Sequence, residues 1–317
     1  MMGPTLGPVL KVLAQLAILL LLAPLVTGLI KLLKARLQMR RGPGMLQPYR
    51  DLYKLLRKGM VIPHTASWLF SATPYVVFSA TLLAGLMVPT VAAETPIGLF
   101  GGVLAMVYLL GLGRFFLALG GLDTGSSFGG LGSSREMTIA ALAEPTLMLA
   151  VFTVAIGAGS TTLAEMARAA IGQQWRFLAP SQILAFAALF LVLIAETGRI
   201  PVDNPATHLE LTMIHEAMIL EYSGPYLALI EWGASIKQLL LMTLLINVFW
   251  PFGLPQVWSA SGLFTGLGWL LLKLFLLSCG IVLVETTNAK MRLFRVPELM
   301  ATAFVLGALA LVSTFLL

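Results

Sequence analysis

Four acids and a lysine lie inside or at the edges of long apolar runs: Glu144 just before Pro145, then Glu196, Glu231, Lys237 and Glu285. An acid or base at the middle of a bilayer costs about 2.5–3.5 kcal/mol on translocon scales, so such residues usually face a protein interior or a water-filled path. Burial raises a carboxyl pKa and brings proton exchange nearer physiological pH. The chemistry open to this set is therefore proton transfer along a hydrated polar route. Plainer roles exist for each member taken singly. Glu196 and Glu285 sit near expected span ends, within reach of the headgroups. Glu144 is shallow enough in its span to be wet. Glu231 and Lys237 are six residues apart, a poor spacing for a pair on one helix, and either could bind another helix as structural glue.

A second concentration follows Glu196 and holds Arg199, Asp203, His208, Glu210, His215, Glu216 and Glu221. His208 and His215 are seven apart and lack the i, i+4 spacing of a metal-binding helix pair, so the spacing does not indicate a metal site. Neutral imidazole exchanges protons near pH 7, which makes a titratable chain of His and Glu the better chemical reading. A solvated acidic loop is the plain alternative. The sequence has no GxSxG elbow and no glycine phosphate loop followed by Lys-Ser/Thr, so neither an autonomous hydrolase nor a nucleotide site is indicated. The single cysteine, Cys279, lies in an apolar run. One thiol holds neither an iron–sulfur cluster nor a structural zinc, so any redox cofactor belongs to a partner.

These residues need elements to position them. The 317-residue chain is 58% hydrophobic and 11% charged. Soluble domains carry about 25% charged residues. The expected fold is an all-α integral membrane protein with about eight transmembrane helices, structured cytoplasmic loops and one polytopic domain over residues 1–317. The spans fall at 9–30, 71–92, 98–119, 138–158, 181–198, 226–249, 263–285 and 299–317. Pro24, Pro74, Pro89 and Pro145 kink these helices or mark their ends. The first run lacks a strongly basic start and is longer than a signal core, so it is expected to stay as a span.

The net charge of +6 gathers in membrane-flanking loops, which does not indicate nucleic acid. Lys31 to Lys58 and Lys290 to Arg295 are strongly basic, and the positive-inside rule puts them in the cytoplasm with both termini outside. Arg50 to Lys58 reads as an amphipathic surface helix. The glycine-crowded segment Gly120–Gly130 reads either as a flexible loop or as an ordered docking surface.

The segment Glu196-Thr-Gly-Arg-Ile-Pro-Val-Asp, with Glu210 and then Glu221-Tyr-Ser-Gly, resembles the signature of the complex I membrane subunit that joins the quinone-reducing arm to the proton-pumping arm. Arg40-Arg41-Gly42-Pro43-Gly44 is similar to that family's Arg-Arg-Gly-Pro motif. Ile200-Pro201-Val202-Asp203-Asn204-Pro205-Ala206-Thr207-His208 departs from the usual complex I text toward the equivalent subunit of group 4 membrane-bound NiFe hydrogenases of the formate hydrogenlyase type. Gly121-Leu122-Asp123-Thr124-Gly125-Ser126 resembles the third-span loop of that branch.

The resemblance implies a membrane anchor in the cell inner membrane with no cofactor of its own. Its partners would be a hydrogenase-like large subunit and iron–sulfur subunits, carrying iron–sulfur clusters and a nickel–iron centre, and antiporter-like membrane subunits. Glu210, Glu216 and Glu221, with His208 and His215, would exchange protons with Glu144, Glu196, Glu231, Lys237 and Glu285. Arg199 and Asp203 would hold their loop as an ion pair. Arg40 and Arg41 would anchor the peripheral arm, with lipid headgroups as the other reading, and Asp123 would structure its loop or dock. A quinone-binding complex I subunit, a stand-alone secondary transporter and a purely structural anchor are the rival readings.

Overall fold

The computed structural model describes residues 7–97, 102–172, 179–204 and 213–316. His208 and Glu210 lie outside the described residues. The helices are α1 (Pro8–Leu37), α2 (Gln47–Arg57), α3 (Trp68–Met87), α4 (Val103–Asp123), α5 (Ser127–Ala158), α6 (Leu163–Gly172), α7 (Pro180–Glu196), α8 (His215–Ile219), α9 (Gly224–Phe249), α10 (Ala260–Thr287) and α11 (Val296–Leu316). Seven of them are long and apolar enough to cross a bilayer, namely α1, α3, α4, α5, α9, α10 and α11. The apolar helix α7 is shorter, at 17 residues. The all-helical membrane architecture expected from the sequence is the one observed.

Short contacts sort the helix ends into two faces. Lys34 at the end of α1 meets Glu285 at the end of α10, and Thr65 before α3 donates to the carbonyl of Thr124 after α4. These ends, with the basic stretch Lys31–Lys58, make one face. Lys11 at the start of α1 meets Glu94 after α3, Ala93 N–H donates to Pro255 O, and Gly102 bridges Thr162. These make the opposite face. One continuous cluster of buried apolar side chains draws on α1, α3, α4, α5, α7, α9, α10 and α11. Helix α9 is the most enclosed of the candidate spans, and its run Leu239–Phe249 is buried throughout.

Two expectations change. The segment Gly120–Gly130 is not a loop: α4 runs to Asp123 and α5 starts at Ser127, eleven residues before the expected span. Its glycines serve helix contact. A Cβ on Gly129 would overlap the Gly121 carbonyl, and one on Gly120 would overlap the Tyr222 hydroxyl. Only Gly125, at φ +67°, uses glycine's left-handed freedom, in the turn between the two helices. The other change concerns α3, which ends at Met87 and not at 92. The chain from Val88 to Thr95 is non-helical yet, apart from half-buried Glu94, buried, which is tolerated at membrane depth only inside protein or along a cavity. Pro89 marks that end, whereas Pro24, Pro74 and Pro145 lie within helices. Helix α2 forms where an amphipathic helix was expected and buries Pro48 and Leu52.

Candidate functional site

The site grows from one arginine. Arg114 sits in the middle of α4, 8% exposed, where an isolated cation would be prohibitive. Three carboxylates answer it. Its Nη2 lies 2.5 Å from Glu196 Oε1, its Nε 3.4 Å from Glu136 Oε1, and its Nη1 bonds Glu144 Oε1. A guanidinium presents donors in a planar fork and so can face several acids at once. Glu136 and Glu144 come from α5 and Glu196 from the end of α7. The remaining oxygens carry the array outward. Glu196 Oε2 is 2.6 Å from Lys237 Nζ of α9, and Glu136 Oε2 is 3.2 Å from His215 Nε2 of α8. Glu196 is therefore not a headgroup-seeking residue. It is 7% exposed and bridges two cations.

Beside this array stands a second one. Glu285 Oε1 accepts from Arg199 Nη1 at 2.6 Å, and its Oε2 lies 2.8 Å from Lys34 Nζ. Arg199 Nη2 also donates to Gln238 Oε1 at 3.0 Å. The expected Arg199–Asp203 ion pair is not formed. The backbone turns so that Arg199 reaches into the helix bundle, while Asp203 accepts from the N–H groups of Asn204 (2.8 Å) and Ile214 (3.1 Å) and faces Lys290 at 3.4 Å. Asp203 thus ties its own loop to the start of α8 and to the loop after α10.

Both arrays meet a cavity of about 970 Å³ that opens toward the basic face. Arg114, Glu136, Glu196, Lys237, Glu285 and Arg199 line its inner wall, and Glu231, Glu216 and His215 line it as well. Arg40, Arg41, Asp51 and Lys54 stand at its mouth, on and before α2. Several polar atoms of the arrays, including Arg199 Nε and His215 Nδ1, are buried without a hydrogen-bond partner among the described residues. Glu144 differs from the other acids, since its side chain is 39% exposed on the flank of α5, away from the buried end of the array.

Other expected site residues lie apart. Glu221 is exposed on the basic face. Asp123 accepts from Ser67 N–H and Ser67 Oγ, both at 2.7 Å, and so fastens the end of α4 to the start of α3. Glu231 and Lys237 do not pair with each other, as their spacing suggested, because Lys237 turns to Glu196. Next to Glu221, Tyr222 stacks on Phe70 with ring centroids 4.0 Å apart, and burial holds its phenol well above the ordinary range.

The residues that organise the site include some that the sequence reading does not single out. Arg114 lies inside an expected span, where a basic residue carries the same signal as the acid Glu144. Glu136 lay just before the expected start of its span, and only the early start of α5 places it in the bundle. Lys34 and Gln238 acquire meaning only through their partners on other helices.

A polytopic helical membrane subunit with an ionised interior, opening to one face through a basic-rimmed cavity, is the class that this geometry defines. The family model for NADH dehydrogenase matches residues 10–316, and the chain belongs to that family. It is 38% identical to hydrogenase-4 component C of Escherichia coli over 299 residues, covering 94% of this chain and 93% of the relative. It is 35% identical to formate hydrogenlyase subunit 4 of the same organism over 305 residues, covering 96% and 98%. An NADH-quinone oxidoreductase subunit of Syntrophobacter fumaroxidans is 30% identical over 324 residues, covering 96% and 92%. Among solved structures, the membrane-bound sulfane sulfur reductase, an archaeal respiratory membrane complex, contains a chain that superposes with TM-score 0.85 at 19% identity, over 98% of this chain and 100% of that one. That last likeness concerns the fold alone.

Proposed function

We propose that this chain is the membrane subunit of a group 4 NiFe hydrogenase complex of the formate hydrogenlyase type. In this reading it is a single polytopic domain in the cytoplasmic membrane, with its basic face inward and both termini outward. It docks a peripheral arm bearing iron–sulfur clusters and a nickel–iron centre, and it couples redox chemistry there to proton or ion movement through antiporter-like membrane partners. Support comes from near full-length similarity to two hydrogenase components.

The observation that carries the reading is the succession of ion-pair contacts His215–Glu136–Arg114–Glu196–Lys237, lining a cavity on the face where a peripheral arm would dock. Arg114 does not release its proton at physiological pH and acts as a fixed positive centre. The carboxylates around it compete for that charge. A proton arriving on Glu136 or Glu196 removes one negative charge, weakens the pair with Arg114, and leaves the arginine to its existing contact with Glu144. Proton arrival is thereby tied to a rearrangement of ion pairs. The exposed flank at Glu144 is where the route would pass to a neighbouring membrane subunit. On the cavity side, Glu216 and Glu231, with Glu221, His208 and Glu210 further along the same stretch, would collect protons from the docked arm.

Glu144→Gln tests the route. Arg114 keeps Glu136 and Glu196, so the complex should assemble, while ion movement coupled to hydrogen evolution in vesicles should be lost. Full coupling in this variant, and also in Glu231→Gln, would defeat the reading.

A second reading, a quinone-site subunit, is favoured by the cavity volume of about 970 Å³ and by the relative named for quinone reduction. Sensitivity of the purified complex to quinone analogues, with no hydrogen evolved, would select it.

A further inference from the structure

The opposite half of the bundle contains a buried lysine that the array above does not use. Lys273 lies in the middle of α10, 5% exposed, with no carboxylate within ion-pair distance among the described residues. Helical side chains lean toward the helix N-terminus, which for α10 is the opposite face. Its amine accordingly runs that way and stops on Asn247 Oδ1 of α9 at 3.4 Å, short of the surface. The Asn247 carboxamide is fully committed. Its Nδ2 donates to the carbonyls of Pro89 (2.9 Å) and Thr90 (2.8 Å) in the buried segment Val88–Thr95, which leaves its oxygen for the lysine. The polar cluster continues to Gln15 of α1, whose Nε2 donates to the carbonyls of Gly85 and Val88, both at 2.8 Å. Two buried oxygens of this cluster, Gln15 Oε1 and Thr90 Oγ1, have no hydrogen-bond partner among the described residues. A lysine amine and two oxygens with unused hydrogen-bonding capacity thus share one buried polar cluster, the composition that a proton-exchange site needs.

The other charged groups on the packed elements are engaged or distant. Lys11 of α1 and Glu94 pair at 2.7 Å nearer the surface, Lys237 of α9 is held by Glu196, and Lys31, Lys34, Glu231 and Glu285 lie toward the basic face. Between Gln238 and Asn247, α9 presents eight buried, mostly apolar side chains, and the nine steps span about 13 Å at 1.5 Å per residue. The two polar regions are thus separated in this conformation, as a coupled device requires of its entry and exit sites.

We propose that Lys273, held on Asn247 against the segment Val88–Thr95, is a second proton-exchange site, serving the face opposite the cavity. The proposal deepens the coupling reading and rests on it, because the site would release to that face what the inner array takes up. The test uses the intact complex in sealed vesicles. Lys273→Met and Lys273→Arg are each expected to abolish proton release to the face opposite the basic loops, since methionine carries no proton and arginine does not give one up. Undiminished release by Lys273→Arg would reduce the lysine to a structural cation and overturn the proposal.

The wild-type complex supplies an independent measurement should the variants fail to assemble. Acetic anhydride, which acylates unprotonated amines, is applied over a series of pH values, and peptides are read by mass spectrometry. Acetylation of Lys273 that rises with pH is expected, and its absence across the pH range would overturn the proposal. If the wild-type complex moves no protons at all, the coupling reading fails, while labelling still reports on Lys273. If Glu144→Gln uncouples and the Lys273 variants do not, the outer site alone fails.

Discussion

The two halves of this bundle hold their buried ions in opposite ways. Toward the basic face, Arg114, Lys237, Arg199 and Lys34 are each met by at least one of Glu136, Glu144, Glu196 and Glu285. On the other side, Lys273 meets a carboxamide oxygen and no carboxylate among the described residues, and the polar groups around it are neutral carbonyls, an amide and a hydroxyl. A network of paired charges is sustainable beside a cavity, where water and multiple partners offset the desolvation of each ion. A lone amine among carbonyls is a sparser arrangement, suited to one exchangeable proton. The comparison teaches that charge density follows access to the cavity and not depth alone, for Arg114 and Lys273 both lie at mid-helix.

This contrast can be broken by mutation. The largest effect is expected at Arg114. Arg114→Met leaves three carboxylates facing one another without their common cation, and removing one partner of a buried ion pair costs about 3–5 kcal/mol. Thermal unfolding and assembly yield in detergent should both fall. Arg114→Lys should recover only part of the loss, because an ammonium cannot present a planar fork to three acids. On the opposite side, Asn247→Leu leaves the carbonyls of Pro89 and Thr90 and the Lys273 amine without their partner. Its expected cost is smaller, about 1–3 kcal/mol for buried groups left unsatisfied. Hydrogen exchange should quicken locally in Val88–Thr95. A loss as large as that of Arg114→Met would erase the distinction between the halves.

The smallest effect lies at the rim of the opposite face, where an acid is exposed and needs no counter-ion. Hydrogen bonds from Ser160, then Thr162, hold the Glu165 carboxyl below its ordinary range. A lowered carboxyl supports the start of α6 above its unfolded pKa, and that support is lost as pH falls through the folded value. Ser160→Ala should move the Glu165 titration upward, read by NMR of the labelled carboxyl, with little change in stability.

Much of the architecture was legible from apolar run length. The start of α9 and the end of α7 fall within two residues of expectation, because hydrocarbon must be spanned by a continuous apolar helix whatever its neighbours are. The early start of α5 was not legible. Gly129, Gly130 and Gly132 read as loop residues by intrinsic preference, and only the close crossing with α4 and α8 makes a helix favourable there. The same tertiary override hid Glu136.

By itself, the sequence determined that this chain lives in a membrane, which face is basic, and that several ionisable groups are buried at a cost. Composition and run length suffice for these, since they depend on transfer from water to hydrocarbon and on no particular neighbour. Which acid answers which base was decided by the tertiary structure alone. Arg199 chose Glu285 over nearby Asp203, and Lys237 chose Glu196 over Glu231. Pairing is a matter of a few ångströms between different helices, and only packing sets those distances.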